Sequence, residues 1–179
     1  KQYRYNYFTG RVDKSASFEI TGASVGLAKR LRIPDDYFTL SQSLAYQFYN
    51  LNNYYTGLFP FGDGSSNNLS YTVALSRNNT FTNPIFPLGG SEFVLSARFS
   101  LPYSLWNGVD YANLGDLEKF QDDDGNPDPA KIEQEKFKWL EFYKIKFKGS
   151  WYTRLFDKLV LRTHTEFGFL GAFNNDRGV

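Results

Sequence analysis

Few stretches of this sequence hold residues whose type and spacing could do chemistry. Gly22-Ala23-Ser24-Val25-Gly26 matches the G-x-S-x-G pattern of a hydrolase nucleophile. That pattern works only on a sharp strand-to-helix turn that lifts the serine out of the chain. Here it lies within alternating apolar and small residues, so we read it as strand, its glycines easing close packing or curvature. His164 is the only histidine, too solitary for a metal centre. By strand parity it falls beside Arg162 and Glu166, which points to a hydrogen-bonded charge network. Asp122-Asp123-Asp124-Gly125-Asn126 resembles a calcium loop in outline. With Gly125 at the sixth position, the first and twelfth ligands would be Phe120 and Lys131, and neither can serve. A solvated acidic loop is expected there. With no cysteine, thiolate metal sites, disulfides and a cysteine nucleophile are excluded.

The charges with the most to say are Lys144, Lys146 and Lys148, which alternate with Tyr143, Ile145 and Phe147. Such a strand has one cationic and one apolar face. The same period of two recurs along the chain. It predicts strands over 17–32, 37–50, 69–77, 91–102, 139–152 and 159–170, after a strand tail carrying Tyr3, Tyr5 and Tyr7. Phe38, Leu40, Leu44, Val73, Phe93, Leu95, Ile145, Phe147 and Leu161 fall on the apolar faces. Arg98, Lys144, Lys146, Lys148, Arg162, His164 and Glu166 fall on the polar ones. Asp128-Pro129 reads as a helix start, with Pro at the first helical position, so a short helix is expected over 130–137.

Composition narrows the setting. The 179 residues carry a net charge of +1, which gives no argument for nucleic-acid binding. Aromatics make up 19%, with 13 Tyr and 18 Phe, yet the mean hydropathy is only −0.47. A helical membrane protein would be far more apolar, and soluble domains seldom carry so many rings. A transmembrane barrel accommodates both facts, because its strands need apolar residues only at alternate positions and it gathers aromatics in interfacial girdles. Strands of this length exceed the usual ~5–6 residues of soluble sheets and suit the ~9–11 needed to cross a bilayer. The fold expected is therefore all-β, an antiparallel up-and-down transmembrane β-barrel. It should be present as an open arc of about six strands plus the tail, its edges completed by strands outside this segment. The absence of methionine, the start at Lys1 without a signal peptide and the stop after Arg177-Gly178-Val179 lead us to expect the interior of a longer chain. In the barrel frame, 33–36, 77–91 and 153–158 would be periplasmic, and 9–16, 51–68, 103–138 and 171 onward external.

Two turn segments carry a family resemblance. Leu31-Arg32-Ile33-Pro34-Asp35-Asp36-Tyr37-Phe38, after the glycine-rich strand from Gly22, resembles the turn between two central strands of BamA-family barrels. Ser76-Arg77-Asn78-Asn79-Thr80, then Asn83-Pro84-Ile85-Phe86-Pro87-Leu88-Gly89-Gly90-Ser91, resembles the signature link of that barrel-insertase superfamily. Asn83, Pro84, Phe86, Pro87, Gly89 and Gly90 form the signature turn, and Asn78 or Asn79 stands where an acidic residue is usual. The run Phe167-Gly168-Phe169-Leu170-Gly171-Ala172-Phe173 resembles the tenth strand entering its loop. The resemblance covers nearly the whole chain and implies the stretch from the end of strand four through strand ten of a barrel of about sixteen strands. Periodic periplasmic domains would precede it, and the gate strands and lid-loop motif would lie outside it.

The resemblance further implies an outer-membrane insertase that folds and inserts β-barrel proteins, with this segment as wall and external loops. Its partners would be unfolded outer-membrane protein clients, accessory assembly lipoproteins such as BamD, and outer-membrane lipid. No covalent step is implied, hence no catalytic residue, metal or cofactor. The other readings are a porin or receptor-type transporter barrel, which would not need the 77–91 link, and a barrel hydrolase, which would need Ser24.

Overall fold

The computed structural model describes residues 1–80 and 87–177. The chain forms one antiparallel sheet of seven strands in sequence order. They are β1 (Gln2–Asn6), β2 (Arg11–Arg30), β3 (Phe38–Asn52), β4 (Gly64–Asn78), β5 (Gly90–Ser100), β6 (Tyr143–Phe156) and β7 (Leu159–Gly171). Each strand pairs with its sequence neighbour, and β1 and β7 do not meet, so the sheet is open. The helix after Asp128 is α1 (Pro129–Lys136). Asp128 Oδ1 accepts the backbone N–H groups of Ala130 at 2.9 Å and Lys131 at 3.4 Å. That is the capping geometry the sequence called for.

Several strands outrun the period-two signal. β2 starts at Arg11, where charge and small polar residues read as an external loop. The loop is instead a tight turn. Asn6 Oδ1 accepts from the N–H of Phe8 and of Thr9, and Gly10 takes φ +65°. Across it Arg4 and Asp13 form an ion pair at 2.6 Å, so charge supports the pairing there. β4 likewise starts at Gly64, five residues before its apolar alternation, through the stretch Ser65 to Asn68. The β6–β7 connection shrinks to Asp157-Lys158, with strand pairing running up to Phe156 and Leu159. Conversely, β6 begins at Tyr143, because 138–140 is taken up elsewhere.

That segment explains how the long connection is anchored. β4 projects past the end of β5, whose last partner pair is Ser70 with Ser100. Lys138 to Leu140 lies along the projecting part, with Asn67 N–H donating to Lys138 O at 2.9 Å and Leu140 N–H to Asn67 O at 2.8 Å. The edge that β5 leaves open is thereby covered, as unpaired strand edges require. Gln134 of α1 adds a two-way bond to the Ser65 backbone, at 3.0 Å and 2.6 Å.

The hydrophobic cores lie within the loops and where the loops fold over one end of the sheet, not along its length. One gathers Leu51, Phe59 and Phe61 against Phe18, Tyr49, Phe137 and Leu140. The other gathers Tyr111, Leu114 and Phe120 with Val109 and Ile132. Together they form a cap at the end of the sheet opposite the 31–37 turn.

Candidate functional site: a two-faced sheet under a loop cap

Residues directly opposite in an antiparallel pair share a face, so the register assigns each side chain. Ile145 lies between Ala97 and Phe169, Phe147 between Leu95 and Phe167, Val73 between Gln42 and Ala97, and Leu44 between Val25 and Tyr71. Phe38, Leu40, Phe93 and Leu161 join them. Every residue assigned to the apolar face from sequence parity sits on this one face. Rings stack along it, Phe93 on Phe147 at 6.2 Å and Phe147 on Phe167 at 5.2 Å. Gln42 departs from the pattern, and it accepts a bond from the Tyr71 hydroxyl at 2.8 Å. Toward the 31–37 turn, Lys29 opposite Leu40 and Arg77 between Phe38 and Phe93 depart from it too. Nothing among the described residues covers this face. Leu27 is 80% exposed, Phe169 63% and Leu161 52%.

The opposite face is polar and divided. Over β2–β4 it carries small, uncharged groups: Gly22, Ser24, Gly26 and Ala28 meet Gln47, Ala45, Ser43 and Ser41. Those in turn meet Asn68, Ser70, Thr72 and Ala74. Gly22 has no room for more, because a Cβ there would stand 2.6 Å from the Tyr46 carbonyl oxygen. Ser24 therefore lies mid-strand, with β3–β6 between it and His164, and the G-x-S-x-G run forms no turn. Over β5–β7 the same face carries Arg98, Lys144, Lys146, Lys148, Arg162, His164 and Glu166, all brought together by the register. Arg162 donates to Ser150 Oγ at 3.1 Å, and Ser150 Oγ stands 2.9 Å from His164 Nδ1. His164 Nε2 lies 3.7 Å from Glu166, which pairs with Lys146 at 2.5 Å. The chain of contacts uses His164 as a hydrogen-bonding link. Ser150, 2% exposed, was marked by parity alone.

The two family-like turns meet at one end of the sheet. Arg77 donates to Asp35 Oδ2 through Nε at 2.9 Å and Nη2 at 2.8 Å, and to Ser91 Oγ through Nη1 at 2.8 Å. Asn79 Oδ1 accepts the Ser91 N–H at 2.8 Å. Gly90 takes φ +94°, and a Cβ on it would run into the Asn79 carbonyl. Asn83, Pro84 and Phe86 lie outside the described residues, whereas Pro87, Gly89 and Gly90 lie within them.

The Arg77 hydrogen bonds hold the Asp35 carboxyl below its ordinary value, against a smaller opposing effect of desolvation. A depressed folded-state value stabilises the fold above the ordinary carboxylate range, and that contribution is lost as pH falls through the lowered value. We expect wild-type protein to lose more thermal stability on acidification than Asp35→Asn. Parallel melting curves for the two proteins would refute the clamp.

At the other end, one ion pair holds the cap. Arg177 and Glu141 meet at 2.6 Å with side chains 4% and 2% exposed. Arg177 also donates to the carbonyls of Lys136 and Trp139, and its guanidinium lies 4.7 Å from the Tyr111 ring centroid. Glu141 accepts from the Ser104 N–H at 3.0 Å and hydroxyl at 2.6 Å. No local signal in the sequence marks this latch, because Arg177 is 36 residues from Glu141, and Glu141 is 37 from Ser104. The Asp122 loop is closed by its own backbone, with Asp122 Oδ1 accepting from Asp124 and Asn126. Among the described residues no three His, Asp or Glu side chains gather as a metal site. Neither a protein-family model nor a curated protein sequence matches this chain.

Proposed function

We propose that this sheet is part of the wall of an outer-membrane β-barrel, and that the barrel is an insertase of the BamA type, which folds other β-barrel proteins into the membrane. The observation that carries the membrane reading is the uncovered apolar face backed by a charged one. A water-soluble sheet buries its apolar face against a second layer, and contiguous exposed apolar surface marks a lipid or protein contact. From Tyr143 to Trp151 the apolar side of β6 runs about 27 Å along the strand. At a ~45° tilt that is about 19 Å of height, somewhat short of the ~25 Å apolar band of such barrels. Interfacial Tyr and Trp at its ends extend it. The loop cap sits on the opposite face, through Phe18, Tyr49 and Leu51, as external loops folded over a lumen would.

The insertase reading rests on the family-like turns, supported by the way Asp35, Arg77, Asn79 and Ser91 interlock. The unpaired edges of β1 and β7 are where the remaining strands would add, since no strand edge survives open in a bilayer. Such a protein works by offering a strand edge to its client through backbone hydrogen bonds, and this segment would supply the stiff wall away from that seam. The test is client folding. Full-length protein in liposomes should accelerate the folding of an unfolded barrel client over empty liposomes. Ion conductance without that acceleration would favour the porin or transporter reading and overturn this one.

A further inference from the structure

Arg98 and Lys144 are directly opposed on β5 and β6. Like charges in that position repel, and neither makes an ion pair among the described residues. Arg98 spends one N–H on Ser70 Oγ at 3.3 Å, which leaves its charge uncompensated. The pair lines a cavity of 380 Å³ together with Phe137, Trp139, Leu140 and Phe142 of the loop cap and its junction with β6. Lys136 and Arg177 also line it, and the one acid there, Glu141, is taken up by Arg177 and Ser104, which leaves three cations without an acidic partner in the lining. Leu58 and Leu170, also in the lining, are 64% and 61% exposed. The cavity thus offers positive charge, apolar side chains and exposed leucines in one lining. Its volume lies at the small end of the ~300–1,000 Å³ typical of ligand sites.

We propose that this cavity binds a small amphipathic carboxylate, an anionic head with a single short apolar chain. The head bridges Arg98 and Lys144, removing their mutual repulsion, and the chain lies against Trp139, Phe142 and Leu170. This assignment does not depend on the insertase reading, because it uses only the cap and β5–β7.

The probe is octanoate, titrated calorimetrically into the full-length protein in zwitterionic nanodiscs, with empty nanodiscs subtracted and octanol as the neutral match. Saturable binding of octanoate but not of octanol is expected. The double variant R98Q/K144Q should weaken it at least tenfold, whereas Arg98→Lys should keep most of it and Lys148→Gln, four residues beyond Lys144 on the same face, should leave it unchanged. R98Q/K144Q removes a repulsive pair, so it should fold, and retained circular dichroism checks this. Absence of saturable octanoate binding, equal binding of octanol, or wild-type affinity in R98Q/K144Q would each overturn the proposal.

Discussion

Replacing Arg177 with alanine is expected to free the loop cap while leaving the sheet intact. The substitution strands Glu141, 2% exposed, with a buried charge whose compensation is gone, and it removes the contacts to the Lys136 and Trp139 carbonyls and the Tyr111 ring. Breaking one side of a buried ion pair costs about 3–5 kcal/mol. That loss falls on the cap, because α1 and the 101–142 connection are tied to the strands by few other bonds, chiefly those at Ser65, Ser66 and Asn67. Hydrogen exchange should accelerate across residues 101–142 and stay slow in β2–β7. Glu141→Gln should do less, since the amide still accepts from Ser104. Replacing both partners with apolar residues of similar size should restore much of the protection. Unchanged exchange in Arg177→Ala would mean that the cap is held by its two aromatic clusters alone.

The second large effect separates the two faces. Val73 and Ala74 are neighbours on β4, but Val73 lies between Gln42 and Ala97 on the apolar side and Ala74 between Ser41 and Ser96 on the polar side. If the apolar face meets lipid, Val73→Lys should cost about 2–4 kcal/mol of folding free energy in a bilayer, the range for a lysine near the midplane. Ala74→Lys, set among small polar groups, should cost less than about 1 kcal/mol, as most substitutions away from a packed or desolvated site do. Urea titration of both variants refolded into lipid would read the difference. Equal costs would remove the lipid assignment, and a larger cost at Ala74 would invert it.

The sheet was readable because alternation reports a face wherever burial or lipid selects it. Tyr143 to Ser150 carries the signal in nearly every residue, so the grouping of Lys144, Lys146, Lys148 and Glu166 followed from parity. The start of α1 was readable for the same reason, since Asp128-Pro129 is a local chemical instruction. Strand ends were not. Ser65 to Asn68 has no alternation, and its strand geometry is imposed by Lys138 to Leu140 pairing from far along the chain. Asp13 looked like loop because its partner, Arg4, lies across a turn that only Gly10 and Asn6 define. The Arg177 latch and the Arg77 clamp were beyond reach altogether, since each is a meeting of segments whose separation no short pattern encodes.

The uneven polar face has a mechanical consequence. Above β2–β4 the side chains between Gly22 and Ala28 and their partners are mostly short and uncharged, so a segment laid there would meet a low, neutral surface. Above β5–β7 it meets long, mobile ammonium and guanidinium groups that hold water and attract acidic segments. An acidic segment laid across this face would therefore be drawn toward β5–β7, whereas a neutral one would meet no such pull. The difference comes from side-chain length and sign on a single continuous sheet, with no moving part.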